Sequence, residues 1–262
     1  MINFIKGFIC GIGNIIPGLS GSSLLIVLGV YEKCLDAISN IFRSFKKSFL
    51  YLLPIGIGIV LGTVLFSNVI EYMLNNYLMI TSLVFAFFVF GMVPSLFKKA
   101  FKYGVKLSYF VVFFITFGLG ILLLFFKPDY IVYEVDYNFF KFFLSGFIIS
   151  ISTIIPGISS TVLLTICGMY GVYINAISSL SIKILFPIVL GFGVCSFFLS
   201  KLINYLLKHF YGYTFFGILG FTISTIPALF MTELYFCNDL IIGIGIGIVA
   251  FFITVLSLKN ID

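Results

Sequence analysis

The sequence predicts an all-α polytopic membrane protein built as an inverted-topology repeat. Each half holds one re-entrant helical hairpin and three transmembrane helices, and both termini are cytoplasmic. Three observations carry this expectation. The chain is 61% hydrophobic and 9% charged, whereas soluble domains hold about 25% charged residues. An unusual stretch occurs twice: residues 14–23 read NIIPGLSGSS and residues 153–162 read TIIPGISSTV. With Pro17 aligned on Pro156, residues 7–41 and 146–180 are identical at 16 of 35 positions. Third, the cations divide unequally between the two sides that such a fold would expose.

Taken in order, residues 4–30 are apolar but interrupted by Pro17 and Gly18, and predict the first hairpin. Residues 31–48 predict a cytoplasmic amphipathic helix, with Glu32, Asp36 and Arg43 at spacings of four and seven on one face. Spans follow at 51–69, 78–97 and 107–126, each near the ~20 residues that cross a bilayer. The border between halves falls near residues 127–136, so the repeats occupy 1–127 and 128–262. The second hairpin is predicted over 140–174, interrupted by Pro156 and Gly157, with spans at 182–203, 214–230 and 240–258. Pro54 matches Pro187 and Pro94 matches Pro227, so the repeat continues past the hairpins. Because the first copy of the pattern recurs deep inside the chain, its apolar start is read as architecture rather than as a cleaved leader.

Parity decides the orientation of the halves. If the interrupted segments turn back, each half crosses three times and the second is inverted; if they cross, the repeats are parallel. The re-entrant arrangement puts twelve of the fifteen cations on the cytoplasmic side and leaves Lys127, Lys141 and Lys183 outside. A fully spanning arrangement divides them only nine to six. The positive-inside rule therefore favours the inverted repeat.

The interruptions carry the candidate site. Backbone amides freed at Pro17, Gly18, Pro156 and Gly157 cannot be satisfied by lipid and must face protein or a wet cavity. Matched broken helices in two halves mark a midplane binding site. Asn14, Ser20, Gly21, Ser22 and Ser23 surround the first break, and Thr153, Ser159, Ser160 and Thr161 the second. Half-helices starting near Ser20 and Ser159 would aim N–H groups at the membrane centre, which suits an anion. Glu32 and Arg43, the sole arginine, either receive and release a phosphate group or belong to a surface helix whose Lys33, Lys46 and Lys47 touch anionic lipid. His209 lies in a basic stretch and is assigned no role. The five cysteines lack a C-x-x-C pair, so neither a disulfide framework nor a zinc site is expected. No metal, no organic cofactor and no nucleic-acid partner is expected; contact with membrane lipids is, and a homo-oligomer stays open.

The frame of Gly7, Pro17, Gly18, Ser20, Gly29, Tyr31 and Glu32, repeated at Gly146, Pro156, Gly157, Ser159, Gly168 and Tyr170, resembles the bacterial polyprenyl-phosphate transporter family over nearly the whole chain. The resemblance implies a translocase in the bacterial plasma membrane that returns undecaprenyl phosphate, the lipid carrier for cell-wall sugars, from the outer to the inner leaflet. DedA proteins are a distant analogue. The family pattern carries an acid before the first Pro-Gly and after the second tyrosine, where this chain has Asn14 and Gly171. A coupling ion, proton or sodium, is left open. Two rivals are a secondary transporter of a small soluble anion and an intramembrane enzyme acting on a lipid phosphate. The enzyme lacks its expected nucleophile and base, since the chain offers one histidine and one arginine.

Overall fold

Apolar runs long enough to bury, but too continuous for period-two alternation, should all become helices. In the computed structural model, which describes residues 1–15, 20–125, 138–158, 160–178, 181–227 and 238–259, they do. Among these residues every regular element is a helix. The first half contributes α1 (Ile2–Ile15), α2 (Gly21–Val27), α3 (Tyr31–Ser39), α4 (Phe45–Asn76), α5 (Leu78–Ala100) and α6 (Leu107–Phe125). The second contributes α7 (Phe139–Ile154), α8 (Ser160–Ile166), α9 (Tyr170–Ser178), α10 (Ile182–His209), α11 (Tyr211–Ser224) and α12 (Asn238–Lys259).

Helices α4, α5, α10 and α12 are long and apolar enough to cross a membrane. Their outward faces carry large apolar side chains, among them Val64, Leu65, Phe186, Val189, Phe198, Val249 and Ile253. Such a surface is stable only against lipid, so this is a multi-pass membrane protein. At 32 residues, α4 is about 48 Å long, well beyond the ~30 Å hydrocarbon layer. It starts six residues before the predicted span because Pro54 sits inside the helix rather than opening it, as membrane helices permit. Pro187 does the same in α10. The far end of the predicted span 214–230 lies outside the described residues.

The expected amphipathic helix over 31–48 is corrected to two elements. Helix α3 stops at Ser39, residues 40–44 form turns, and α4 begins at Phe45. The cause is local competition for backbone groups. Asn40 Nδ2 donates to both the carbonyl and the carboxylate of Asp36, at 3.0 and 3.1 Å, and Ser39 Oγ donates to the same carbonyl at 2.9 Å. Arg43 therefore sits in a turn instead of on the helical face of Glu32 and Asp36. The second hairpin also ends earlier than residue 174. Helix α8 stops at Ile166, and Gly168, with φ of 67°, turns the chain into α9. Gly29 plays the same part after α2 with φ of 70°. There Val30 N–H bonds Leu25 O and Gly29 N–H bonds Ile26 O, the paired bonds of a glycine-terminated helix.

Small residues set the packing. Gly7 and Gly11 on α1 face Gly58 and Gly62 on α4, two G-x-x-x-G faces pressed backbone to backbone. A Cβ on Gly7 would strike the Ile55 carbonyl oxygen, and one on Gly58 that of Phe4. Thr63 Oγ1 donates to Gly11 O at 3.0 Å. The register rises together along both chains, so α1 and α4 are parallel. Helices α7 and α10 repeat the arrangement: Gly146 abuts Ile188 O, Gly191 abuts Phe143 O, and Ser150 Oγ meets Ser196 Oγ at 2.9 Å. Two further parallel pairs exchange partners between halves. Gly91 of α5 abuts Thr254 of α12, and Gly120 of α6 abuts Ser224 of α11. The centre is α5 against α11, where Ala86, Val89, Met92, Leu96, Phe215, Phe216 and Leu219 are almost fully buried.

Candidate functional site

Helix α1 ends at Ile15, about halfway along the parallel α4, and α2 then runs back beside it. Two contacts fix this return. A Cβ on Gly21 would collide with the Asn14 side-chain oxygen, and Lys6 Nζ donates to Leu28 O at 2.6 Å. The start of α1 therefore lies beside the end of α2. Lys99 Nζ donates to Ile26 O from the end of α5. Two ammonium groups thus satisfy carbonyls at the C-terminal end of α2, where the helix dipole is negative.

Of the residues expected at the first turn, Pro17 and Gly18 lie outside the described residues. Ser20 precedes α2, and its Oγ pairs with Ser22 Oγ at 2.6 Å rather than capping the helix. Ser22 and Ser23 are buried, and the Ser23 hydroxyl has no hydrogen-bond partner. Asn14 is exposed. At the second turn, Pro156 and Gly157 are buried. Gly157 has φ of 84°, and a Cβ there would strike the backbone of Phe221 and Thr222 in α11. Only glycine fits that position, for conformation and for space. Thr153 Oγ1 donates to Ile149 O at 2.7 Å, so this hydroxyl serves its own helix. Ser159 and the side chain of Thr161 lie outside the described residues, and Ser160 is half-buried at the start of α8.

Tyr31 ties the two halves together. Pro156 lacks an N–H, so α7 cannot continue its ladder, and its last carbonyls need other donors. Tyr31 Oη, from the first half, donates to Ile154 O at 2.7 Å in a buried setting. Burial, with Glu32 adjacent, pushes the phenol pKa up and keeps it a donor. Sequence reasoning counted Tyr31 as part of the repeat frame but not of the site.

Glu32 and Arg43 lie away from the turns. Both are exposed and line an open cavity of about 740 Å³ together with Lys33, Asp36, Lys47, Asn204 and Lys208. The start of α4 and the end of α10 share this cavity, so those helices run in opposite directions. Helix α3 is pinned to α10 here: Asn204 Nδ2 donates to Asp36 Oδ1 and Ser39 Oγ, each at 3.2 Å, and Lys208 Nζ lies 3.7 Å from Asp36. His209 Nδ1 lies 3.0 Å from Tyr205 O of its own helix. A neighbouring cavity of about 430 Å³ is lined by Glu32, Lys33, Lys98, Lys99, Lys102 and Tyr211. Tyr211 Oη reaches Glu32 at a long 3.5 Å. Its pKa is raised by burial first and by Glu32 second. Lys98, Lys99, Lys102 and Tyr211 were missed as site candidates because lysines after a span read as topology signals; only their K-K-x-x-K spacing hinted at a cluster.

Among the described residues, no group of three His, Cys, Asp or Glu can hold a metal ion. What the arrangement offers is polar backbone at two interrupted helices and a strongly basic end.

Comparison with known proteins agrees with that chemistry. The family described as undecaprenyl phosphate translocase-like matches residues 1–108 and 102–238. A polyprenyl-phosphate transporter of Staphylococcus aureus is 32% identical over 245 residues, covering 87% of this chain and 86% of the relative. A polyprenyl-phosphate transporter of Vibrio cholerae is 24% identical over 243 residues, covering 86% and 76%. No solved structure matches the chain. The chain therefore belongs to the undecaprenyl phosphate translocase-like family, and it is a transporter rather than an enzyme.

Proposed function

We propose that this protein translocates a polyprenyl phosphate, undecaprenyl phosphate in bacteria, from the outer to the inner leaflet of the plasma membrane, recycling the lipid carrier for cell-envelope synthesis. The phosphate passes the turns of two re-entrant hairpins near the midplane while the polyprenyl tail stays in lipid. An anion needs such a polar route across ~30 Å of hydrocarbon. That both relatives are polyprenyl-phosphate transporters supports the substrate class.

The observation that carries the mechanism is the matched packing of the two hairpins. Helix α1 lies parallel to α4 through Gly7 and Ile55, and α7 parallel to α10 through Gly146 and Ile188, while α4 and α10 run in opposite directions. An inverted repeat with hairpins entering from opposite faces accounts for both facts. It puts the ends of α5, α10 and α12, with the start of α1, on the cytoplasmic side, and hence both termini. Lys141 and Lys183 then begin α7 and α10 outside, in line with the charge rule. In this reading Asn14, Pro17, Gly18, Ser20, Gly21, Ser22 and Ser23 meet the headgroup from one side. Thr153, Pro156, Gly157, Ser159, Ser160 and Thr161 meet it from the other, and Glu32 and Arg43 handle it at the inner exit.

The test is surface-exposed undecaprenyl phosphate in cells depleted of this protein, measured with a headgroup-specific probe. Accumulation outside, reversed by wild type but not by Arg43→Ala, is the expected result. No accumulation, in cells lacking another such carrier, would overturn the reading in favour of a small soluble anion as cargo.

A further inference from the structure

We propose that the cavity of about 430 Å³ bounded by Lys33, Lys98, Lys99, Lys102 and Tyr211 is a binding site for a phosphate monoester, separate from the hairpin turns. It deepens the transport reading above, as the station where the headgroup arrives at or leaves the inner end. Four ammonium groups line this space against one carboxylate, Glu32. Like charges held together at the edge of a low-dielectric protein repel and focus a field that draws in an anion. A phosphate monoester brings a charge of about −1.5 to −2 and three acceptor oxygens, which suits a lining richer in ammonium groups than in carboxylates. The volume also lies within the ~300–1,000 Å³ of small-ligand sites.

The lysines are placed by the fold rather than merely scattered on its surface. Lys98 sits in the last turn of α5 and Lys102 in the turn just after it, and both line this cavity. Lys99 is anchored through its bond to Ile26 O. Lys102 lies beyond the last residue of α5, and its Nζ is 5.2 Å from the Tyr103 ring centroid and 5.7 Å from that of Tyr211, cation–π distances. Tyr211 comes from the second half, so both repeats build the walls. Lys33 joins the lining from α3. Lys46 and Lys106 are also exposed near that end but line neither this cavity nor the 740 Å³ one, which makes them matched controls.

The experiment is equilibrium binding of inorganic phosphate and of a short-chain prenyl phosphate to the full chain in zwitterionic nanodiscs. Lys98→Gln with Lys102→Gln should weaken binding at least tenfold, since charge-assisted hydrogen bonds to a phosphate are about twice as strong as neutral ones. The equal-charge pair Lys46→Gln with Lys106→Gln should stay within twofold, and arginine at 98 and 102 should retain binding. Competition by inorganic phosphate assigns the site to the headgroup alone; binding of only the prenyl phosphate assigns it to the lipid. Equal losses in both glutamine pairs, or none in either, overturn the site while leaving the transport reading intact. Failure of the wild type to bind prenyl phosphate overturns the transport reading instead.

Discussion

Replacing Tyr31 with phenylalanine isolates the bond that joins the two halves. The ring is 3% exposed and stays in place, so the change removes one hydroxyl from a buried 2.7 Å bond to Ile154 O. The carbonyl belongs to the last residue of α7, where the helix itself offers no donor, and it loses the Tyr31 hydroxyl. An unsatisfied buried acceptor costs ~1–3 kcal/mol. In a chain of this size that is roughly 2–4 °C of melting temperature per kcal/mol. Transport is the sharper assay. A bond present throughout the cycle would lower stability alone, whereas one made only when the hairpins adopt this arrangement would shift the balance of states. A loss of 1–3 kcal/mol then changes the populations by about 5- to 150-fold. The expected result is a lower melting temperature in nanodiscs together with a change in headgroup flux, set against Tyr72→Phe, whose side chain is 60% exposed. Tyr31→Phe protein that melts and transports like wild type would refute the reasoning.

Gly7→Val and Gly146→Val should each force α1 from α4, or α7 from α10, because the obstacles are the backbone oxygens of Ile55 and Ile188. At ~1–3 kcal/mol or more for overpacking, both should reduce the yield of monodisperse protein, while Gly56→Val, with nothing within 4 Å, should not. Asp36→Ala breaks an exposed 3.7 Å ion pair with Lys208 and the exposed hydrogen bonds its carboxylate accepts from Asn40 and Asn204, and should shift stability by only ~1 kcal/mol in thermal melts; a larger loss would mean that the α3–α10 contact bears more than its surface geometry implies. In a Cys237→Ser background, exposed Cys167, at the end of α8, should react with an impermeant maleimide applied outside intact cells. Cys10, Cys34 and Cys195 are buried and should stay silent, the Cys34 thiol being pushed up to about 12 by burial. Labelling of Cys167 only after permeabilisation would contradict the inverted second half.

The all-helical fold and the long apolar helices α4, α5, α10 and α12 were legible because each rests on a strong local signal, a long apolar run. The glycine faces were visible as G-x-x-x-G, but their partners were not, since the pairing of α5 with α12 and of α6 with α11 depends on three-dimensional exchange between halves. The helix over 31–48 failed for a physical reason. Charge spacing continued past Ser39, while Asn40 and Ser39 competed for the Asp36 carbonyl. Around the turns, nothing in one dimension brings Tyr31 to Ile154 or Tyr211 to Glu32. Lysines were the hardest case, because topology and ligand binding use the same side chain in the same place.

The two halves share a sequence frame but not their charges, and that difference bears on how such a frame would handle an anion. At the offset of the hairpins, Glu32, Lys33 and Asp36 correspond to Gly171, Val172 and Asn175; at the offset of the spans, Lys98, Lys99 and Lys102 correspond to Met231, Thr232 and Tyr235. An equal frame with charge at one end gives that end a preference for the headgroup. On the proposed direction, each negative charge moving inward opposes a membrane potential worth about 2.3 kcal/mol per 100 mV. A basic inner cavity offsets part of that cost on arrival, and the same attraction slows departure. It therefore changes where the headgroup waits rather than the net free energy of transfer, which binding to the carrier alone cannot alter. Neutralising Lys98 and Lys102 should accordingly lower occupancy at the inner end and speed release from it. It should leave the equilibrium distribution across the membrane unchanged, an outcome that separates a binding station from a driving force.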